Sequence, residues 1–493
     1  MRISPRNFDL ALTRIQDRDP GVRRVVYSSI LPRIKARHIK PTQLAQIVKT
    51  GLRDRDDTVK QAARAMVSSW VQNEQADPDD TLKVMLEFVH CFEYDDREPV
   101  QLALEAIFES RRDILDQLDF TEAYWAELTV DKAILARVFV DYCGRVKDEA
   151  RLERCLPVVT ALAFRVQDEV NKIDELVADA SGADDEDDVA AFTDKLEDQV
   201  AAVAEMLRMT AQLDYADEIG RRKMFALVRN MLGDAGLAEP LVAPCLDVLR
   251  VLSASERDLI RVVVEIVHDV RDPADAADAD DVEAELLAAE DDDEEEDEET
   301  VAAKKAAKER KKLEEMSPEE HERVLNLDLR SLTLVIGMLE RVNGSFEENS
   351  TLEGILQDLI IPSVRSKEPE LRERGLVGLG LCCLIAKRMA LQSFKLFLDQ
   401  IQRVPALQSR VLQIVFDIMM VHEAEFLGPR AIVGEGKMIE FLLHTFEHTE
   451  SDEVQSTLVV GLSKLMLSGM ISDERVSNSR TLLDVTDRSY TRF

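Results

Sequence analysis

Basic side chains are concentrated near the start of the chain, at a density that suits phosphate groups. Residues 1–72 hold 15 Lys or Arg and 6 Asp or Glu, a net charge of +9, so the remaining residues carry −44. A basic end on an otherwise acidic chain is a candidate footprint for a polyanion. The candidate DNA-binding residues are Arg24, Arg33, Lys35, Arg37, Lys40, Lys49 and Arg64, and Arg53 and Arg55 extend the same cluster.

The aromatic content of this basic region decides which nucleic acid it suits. Residues 1–72 contain three aromatic side chains, Phe8, Tyr27 and Trp70. Proteins that bind single strands stack successive bases on aromatic side chains, and three scattered rings do not provide such a platform. The composition therefore favours contact with the backbone of duplex DNA, without base reading.

Other residues with chemical potential give weaker signals. His444 and His448 lie four apart on a predicted helix and could share a metal, but their neighbours Glu440 and Glu447 are ordinary surface carboxylates. A solvated helix face is the favoured interpretation. The sequence contains no Gly-rich phosphate loop, nucleophile elbow or metalloprotease motif. We expect no enzyme, no cofactor, no metal and no small-molecule substrate.

The cysteines and the apolar runs indicate the redox compartment and whether the chain could span a membrane. The six cysteines lie in apolar helical contexts with no C-x-x-C pair, which predicts small core residues in a reducing compartment. The longest uncharged apolar run, 375–386, is far shorter than the roughly 20 residues that span a membrane. The N-terminal residues do not form a secretory signal. We expect no membrane partner.

A repeated sequence motif, which we call the phrase, predicts the helices that must position these residues. It consists of an acidic turn residue, an aliphatic residue, and then a cation or glutamine at the start of an apolar helix. It occurs at 19–23 and at 56–60, 37 residues apart, and a weaker copy at 98–101 follows 41 residues later. Two further copies, 368–372 and 451–455, are 83 residues apart. This period is that of a HEAT-type helical hairpin, which must stack on neighbours to bury its apolar face.

Equivalent positions in the phrase predict a structural role for their charges. The acidic residues Asp19, Asp56 and Glu368 are expected to cap helix starts. The cations Arg23, Lys60 and Arg372 are expected to form a ladder of charge-assisted bonds between neighbouring hairpins.

The fold class predicted is all-α: an α-solenoid of HEAT-type helical hairpins, that is, an α-α superhelix. Aromatic residues make up 5% of the chain, and Leu, Ala, Val, Glu, Asp and Arg dominate, which favours helix over sheet. Beyond the first two helix pairs, helices are predicted at 81–91, 100–109, 132–143, 153–164 and 194–213, and later at 329–339, 371–386, 411–421 and 454–467.

Charge runs divide the chain into four parts. A solenoid with the basic end covers 1–271, a charged loop 272–316, a second solenoid 317–471 and a tail 472–493. Residues 272–300 contain 17 Asp or Glu and no Lys or Arg, so self-repulsion predicts disorder, with order resuming near Val324. Residues 181–188 are predicted to form a polar loop.

Two short motifs lie at the end of the charged loop. The lysine-rich run 304–312 is interpreted either as a nuclear import signal or as a solvated partner for the acidic run before it. Ser317-Pro318 matches a proline-directed phosphorylation site over two residues.

The amino-acid sequence inside the repeats resembles that of a known family. Residues 15–71, with "IQDRDPGVRR" and "LRDRDDTVKQAARAMVSSWV", resemble the HEAT repeats of the condensin subunit 3 family, the G-type non-SMC subunits of eukaryotic condensin. The phrase "KEPELRERGLVGLGLCCLIAK" and the later "LVVGLSKLMLSGMI" are similar to the C-terminal region of that family. Family members have further repeats before the position of Met1 and after Ile471, so we expect an incomplete or shortened version.

The resemblance implies a non-catalytic subunit that binds the kleisin and, through it, the SMC ATPase pair. It also implies that duplex DNA is held in a basic groove without sequence specificity, in the service of mitotic chromosome condensation. The expected location is the nucleus and chromosomes, with a cytoplasmic pool. The alternative is a HEAT-repeat protein-only scaffold, such as a nuclear transport receptor or phosphatase scaffold.

Overall fold

The computed structural model describes residues 5–71, 78–181, 186–271, 317–343, 350–428 and 435–472. Every regular element in these ranges is helical, and none of them contains a strand. The predicted all-α class is confirmed. The predicted charged loop 272–316 and all of the predicted tail after Ser472 lie outside the described residues.

The helices form two compact units. The first comprises residues 1–231 and 237–252, and the second 232–236 and 253–493. The helices that begin in the first unit are α1 (Pro5–Arg14), α2 (Pro20–Val25), α3 (Pro41–Leu52), α4 (Asp57–Trp70), α5 (Pro78–Val89), α6 (Glu98–Ser110), α7 (Arg112–Gln117), α8 (Glu122–Ala126), α9 (Val130–Val146), α10 (Glu149–Cys155), α11 (Val159–Ser181), α12 (Glu186–Thr210), α13 (Glu218–Gly233) and α14 (Glu239–Leu252).

The second unit continues the same helical pattern. Its helices are α15 (Glu256–Arg271), α16 (Pro318–Leu339), α17 (Ser350–Ile355), α18 (Ile361–Val364), α19 (Pro369–Ile385), α20 (Lys387–Arg403), α21 (Gln408–Val421), α22 (Glu423–Phe426), α23 (Glu435–His448) and α24 (Asp452–Leu467).

Packing within each unit follows the order of the helices. In the first unit α3 packs against α4 and α6, α6 against α9, α9 against α12 and α12 against α14. The apolar positions of α3 that recur at helical spacing, Leu44, Ile47 and Val48, are fully buried. Each such side chain contributes about 1.5–3 kcal/mol when removed from water. Helix α3 therefore buries its apolar face against α4 and α6.

Two predicted boundaries in the first unit are wrong for local reasons. The single helix predicted at 153–164 is two helices, α10 and α11, because Pro157 has no N–H and disfavours helical geometry in Leu156, which is extended (φ −107°, ψ 146°). The polar loop predicted at 181–188 is shorter at both ends. Helix α11 includes Ser181, and α12 begins at Glu186.

Helix α16 begins earlier than the predicted resumption near Val324. Ser317 caps it: its Oγ accepts from Glu320 N–H at 3.3 Å, and its own N–H donates to Glu320 Oε2 at 3.0 Å. This reciprocal capping box, with Pro318 at the first helical position, explains why a polar segment is helical from its first residue.

Two helices contain a π-helical turn just before a proline. Helix α2 widens over Val26–Ile30 ahead of Pro32, and α17 widens over Leu356–Ile360 ahead of Pro362. A proline inside a helix cannot donate to the carbonyl four residues earlier and its ring crowds that carbonyl. The wider turn relieves this crowding.

In the second unit α16 packs against α15 and α19, α19 against α18 and α21, and α21 against α20 and α24. Glycines allow the closest approaches. A Cβ at Gly380 would lie 2.7 Å from Ile414 Cγ2, and a Cβ at Gly461 would fall on the Phe416 ring. The helices α19, α21 and α24 can pack this tightly because these positions have no side chain.

No single helix in the described part of the chain is long and apolar enough to span a membrane. One pair passes a length-and-composition test when joined, Lys387–Arg403 with Pro405–Val421, and that pair is bent by 117°.

The glycine contacts give a direct stability prediction. Gly461→Ala should lower the free energy of unfolding by about 1–3 kcal/mol, because the added methyl group must displace the Phe416 ring. Gly354→Ala, in α17 of the same unit, is the matched control: outside its own helical turn, no atom of the described residues lies within 4 Å of the added Cβ, so the helix should gain about 0.5–1 kcal/mol. Denaturant unfolding of both variants measures the difference, and equal effects would contradict the packing argument.

Candidate nucleic-acid interface

The segment between α2 and α3, residues 31–40, is the candidate interface, and we call it the basic loop. It consists of two 3₁₀ turns, Leu31–Arg33 and Ala36–His38, joined by extended residues. Its apolar side chains, Leu31, Ala36 and Ile39, are buried. Its cations alternate with them and are exposed: Arg33, Lys35, Arg37 and Lys40.

Hydrogen bonds from neighbouring helices hold the basic loop. Trp70, the last residue of α4, donates from its indole N–H to Ile34 O at 2.8 Å. Just before the loop, the fully buried Tyr27 donates its hydroxyl hydrogen to Ile47 O at 3.0 Å. This bond connects the end of the α2 segment with α3. Burial raises the pKa of Tyr27 far above its usual value, so this hydroxyl stays protonated and remains a donor.

The four cations of the basic loop, and Arg24 in α2, share one property. Among the described residues, none of these five side chains forms an ion pair with a carboxylate. Exposed cations that are not in ion pairs remain available to an external anion.

Two of the predicted DNA-binding residues, Lys49 and Arg64, form ion pairs within the protein. Lys49 lies 2.5 Å from Asp96 and 3.1 Å from Glu98, and Arg64 lies 3.5 Å from Glu109. The adjacent Arg53 also pairs with Glu98. These carboxylates are at the start and end of α6 or just before it, so the pairs brace one repeat against the next.

The seven predicted residues therefore do not form one cluster. Lys40 and Lys49 are at opposite ends of α3, about 13 Å apart along its axis. Arg24 is at the opposite end of its hairpin from the basic loop, since Arg23 reaches the turn after α3. Arg33, Lys35, Arg37 and Lys40 are the four that share the basic loop.

The predicted charge ladder is present between the first two hairpins. Arg23 makes a bidentate pair with Asp54, Nε to Oδ2 at 2.7 Å and Nη2 to Oδ1 at 2.8 Å. Arg23 also donates to Asp17 O at 2.7 Å. Burial is the largest single influence on Asp54 and opposes its ionisation. The hydrogen bonds from Arg23, the Asp56 N–H and the positive charge of Arg23 together outweigh burial and hold the pKa of that carboxyl below its usual value.

The predicted caps are present in two of three copies of the phrase. Asp19 Oδ1 accepts from Gly21 N–H at 2.7 Å, and Asp56 Oδ1 accepts from Thr58 N–H at 2.9 Å. Glu368 makes no side-chain cap bond, so that prediction is wrong. A carboxylate on one more methylene lacks the tight fit that Asp, Asn, Ser and Thr have at this position.

The predicted cations behave differently from copy to copy. Lys60 pairs with Asp57 of its own helix at 3.1 Å rather than with a neighbouring hairpin. In the later copy Arg374 of α19 bonds the earlier helix α16, at Thr333 Oγ1 and at Leu329 O, the latter at 3.3 Å. Arg374 thus makes the inter-helix contact that was predicted for Arg372.

A second buried charge cluster escaped sequence reasoning. Glu205 of α12 is fully buried, 2.7 Å from Arg97 and 2.6 Å from Arg208, and it also pairs with Arg137 of α9. Arg137 in turn lies 2.7 Å from Asp141. The partners are up to 108 residues apart along the chain, and no local pattern marks them.

The two histidines considered as metal ligands stack on one face of α23. Their rings are 4.0 Å apart between centroids, and His448 Nδ1 lies 2.8 Å from His444 O. Within the described ranges no group of three or more His, Cys, Asp or Glu side chains is placed to hold a metal ion.

In the described residues, helical hairpins of HEAT type pack in sequence within each unit, and the basic loop of the first unit is exposed. The comparisons with known proteins agree. Residues 330–485 match the family model of the nuclear condensing complex subunits, C-terminal domain. Condensin complex subunit 3 of Saccharomyces cerevisiae is 27% identical over 94% of this chain, and that of Schizosaccharomyces pombe is 27% identical over 96%. The resemblance to condensin subunit 3 is confirmed.

Solved structures support the fold independently. The S. pombe condensin Cnd3–Cnd2 subcomplex superimposes with a TM-score of 0.71 at 24% identity, covering 95% of this chain and 52% of that one. The C-terminal fragment of the Chaetomium thermophilum cohesin loader SCC2 gives 0.52 at 13% identity, covering 94% and 32%. The chain spans about half the length of the curated relatives it matches, 47% and 52% for the two yeasts.

The Arg23–Asp54 pair yields a prediction with a defined pH dependence. Arg23→Gln should cost about 3–5 kcal/mol, because it leaves a buried carboxylate uncompensated. Since the pKa of Asp54 is lower folded than unfolded, its contribution is present above the unfolded pKa and disappears as pH falls through the folded value. The variant should therefore unfold at a higher pH during acid titration.

The control for this prediction is Arg14→Gln. Arg14 is 2.6 Å from Asp17, but its side chain is 57% exposed, so the loss should stay below about 1 kcal/mol. Urea unfolding at neutral pH and an acid titration followed by circular dichroism provide both readouts. Similar losses in the two variants would show that burial of the Arg23 pair does not matter.

Proposed function

We propose that this chain is a non-catalytic HEAT-repeat subunit of a condensin complex that contacts duplex DNA through the basic loop. The observation that carries the proposal is the set of four exposed cations on one ordered loop, Arg33, Lys35, Arg37 and Lys40, without acidic partners among the described residues. The proposed setting is mitotic chromosome condensation, in the nucleus and on chromosomes, with a cytoplasmic pool.

The geometry favours duplex backbone over single strands. Tyr27 is fully buried and Trp70 is half-buried with its indole N–H bonded to Ile34 O, so these two rings do not form a row on which successive bases could stack. Arg and Lys side chains that meet phosphates contribute affinity through released counterions and carry no sequence information. Binding without sequence preference is the expected behaviour of such a loop.

The proposed protein partner is the kleisin and, through it, the SMC ATPase pair. The sequence resemblance implies this role, and the S. pombe structure contains Cnd3 together with a second subunit, Cnd2. We further propose that hydrolysis of ATP belongs to the SMC pair, because this chain carries no recognisable catalytic motif.

The partner proposal predicts selective capture. The full chain, immobilised and mixed with purified proteins, should retain the kleisin of the same organism and should not retain a nuclear transport GTPase or a phosphatase core. Cross-linking followed by mass spectrometry would identify the contact region. Retention of the GTPase or phosphatase without the kleisin would favour the protein-only scaffold.

The DNA proposal predicts a specific salt dependence. Four phosphate contacts give a slope of log K against log salt of roughly −3.6, about −0.9 per contact. Reversing three charges, Lys35→Glu, Arg37→Glu and Lys40→Glu, should reduce the magnitude of this slope by roughly 2.7. Titrations of the kleisin-bound chain on short duplexes of unrelated sequence measure the slope and should give equal affinities for each duplex.

A matched control separates local contact from net charge. Arg112→Glu, Lys147→Glu and Arg154→Glu reverse three exposed cations elsewhere in the first unit. This variant has the same net charge as the basic-loop variant. It should keep nearly the wild-type slope, because salt screens the long-range effect of charges that lie away from the DNA. Equal slopes for wild type and the basic-loop variant would refute DNA contact at this loop, provided that both variants still bind the kleisin.

A further inference from the structure

Ordering the basic loop has a free-energy cost that contacts within the loop do not fully offset. Four cations within eight residues repel one another, and ordering each loop residue costs about 1–2 kcal/mol of conformational entropy. The two 3₁₀ turns close their own hydrogen bonds, Ile34 N–H to Leu31 O at 3.0 Å and Ile39 N–H to Ala36 O at 2.9 Å. At the extended junction, Ile34 N–H belongs to the first turn and Lys35 O accepts from His38 N–H at 3.0 Å, whereas Ile34 O accepts from neither turn.

The Trp70 indole acts at this junction. Its N–H donates to Ile34 O at 2.8 Å, across 36 positions of sequence. Helix α4 presents the indole from its last residue, and the ring lies beside Phe88 of α5, with centroids 6.4 Å apart. The carbonyl that it holds is flanked in sequence by Arg33 and Lys35.

We propose that Trp70 is a positioning residue for phosphate contact: it pre-orders the basic loop so that Arg33 and Lys35 meet the DNA backbone without a further entropy cost. This inference rests on the proposed DNA-binding function and adds a residue that does not itself touch DNA. Preorganisation raises affinity by removing the cost of ordering, and it does not change the number of ions released.

The test therefore separates the level of affinity from its salt slope. Trp70→Phe keeps an aromatic ring and removes the N–H donor. In the kleisin-bound full chain, affinity for a short duplex should fall about two- to tenfold at every salt concentration, with the wild-type slope retained. Charge reversal in the basic loop changes the slope instead, so the two kinds of effect are distinguishable.

The chain offers a matched control for loss of an indole donor. Trp125 also donates to a loop carbonyl, Phe120 O, at 3.0 Å in the same unit. Trp125→Phe should leave DNA affinity unchanged even if it destabilises the fold. An equal fall in affinity for both variants would mean general loosening and would overturn the proposal, as would wild-type affinity for Trp70→Phe.

A rescue experiment covers the case in which Trp70→Phe folds poorly. Lys35 has φ −76° and ψ 140°, its N–H donates no hydrogen bond within the described residues, and Ile34 before it is extended (φ −110°, ψ 132°). Proline fits this geometry and restricts the unbound loop. Lys35→Pro should bind DNA more tightly than Lys35→Ala, and the difference should be larger in the Trp70→Phe background.

The outcomes separate this inference from the proposed function. If wild-type protein shows no salt-dependent duplex binding, both fail. If charge reversal flattens the slope but Trp70→Phe has no effect, or if Lys35→Pro gives no advantage over Lys35→Ala, the DNA-binding role stands and the positioning role is wrong.

Discussion

The buried pair between Arg23 and Asp54 is the interaction on which the first two hairpins depend. The Asp54 carboxylate accepts three hydrogen bonds: two from the Arg23 guanidinium and one from Asp56 N–H at 2.8 Å. The third bond shapes the turn before α4. The pair fixes one end of α2 against the end of α3. Because helices are stiff, fixing one end also fixes where the other ends lie, and the basic loop joins those other ends.

The remaining paired charges extend the same principle along the first unit. Lys49 and Arg53 connect the end of α3 with the start of α6, and Arg97 connects the start of α6 with Glu205 of α12. Carboxylates thus neutralise the cations at these helix ends. The cations of the basic loop are left without such partners among the described residues, and that contrast distinguishes a bracing charge from one available to a ligand.

The features that could be predicted from the sequence are those that depend on residues close together in the chain. The repeat period, the helices and the Asp19 and Asp56 caps follow from neighbouring residues, and the structure has them. The break at Pro157 was equally local and was overlooked. The acidic partners of Lys49 and Arg64 lie 45 to 49 residues away on another helix, so composition alone could not separate bracing cations from exposed ones. The Glu205 cluster, the role of Arg374 and the Trp70 contact required three-dimensional packing for the same reason.

The two tryptophans of the chain occupy comparable positions, each donating from its indole to a backbone carbonyl in the first unit. Replacing Trp125 with phenylalanine would leave Trp70 as the one tryptophan of the chain, with its indole bonded to the basic loop. Indole emission shifts with the polarity and hydrogen bonding of its surroundings. The protein therefore carries an intrinsic optical probe of its candidate DNA-binding loop, readable without any attached dye.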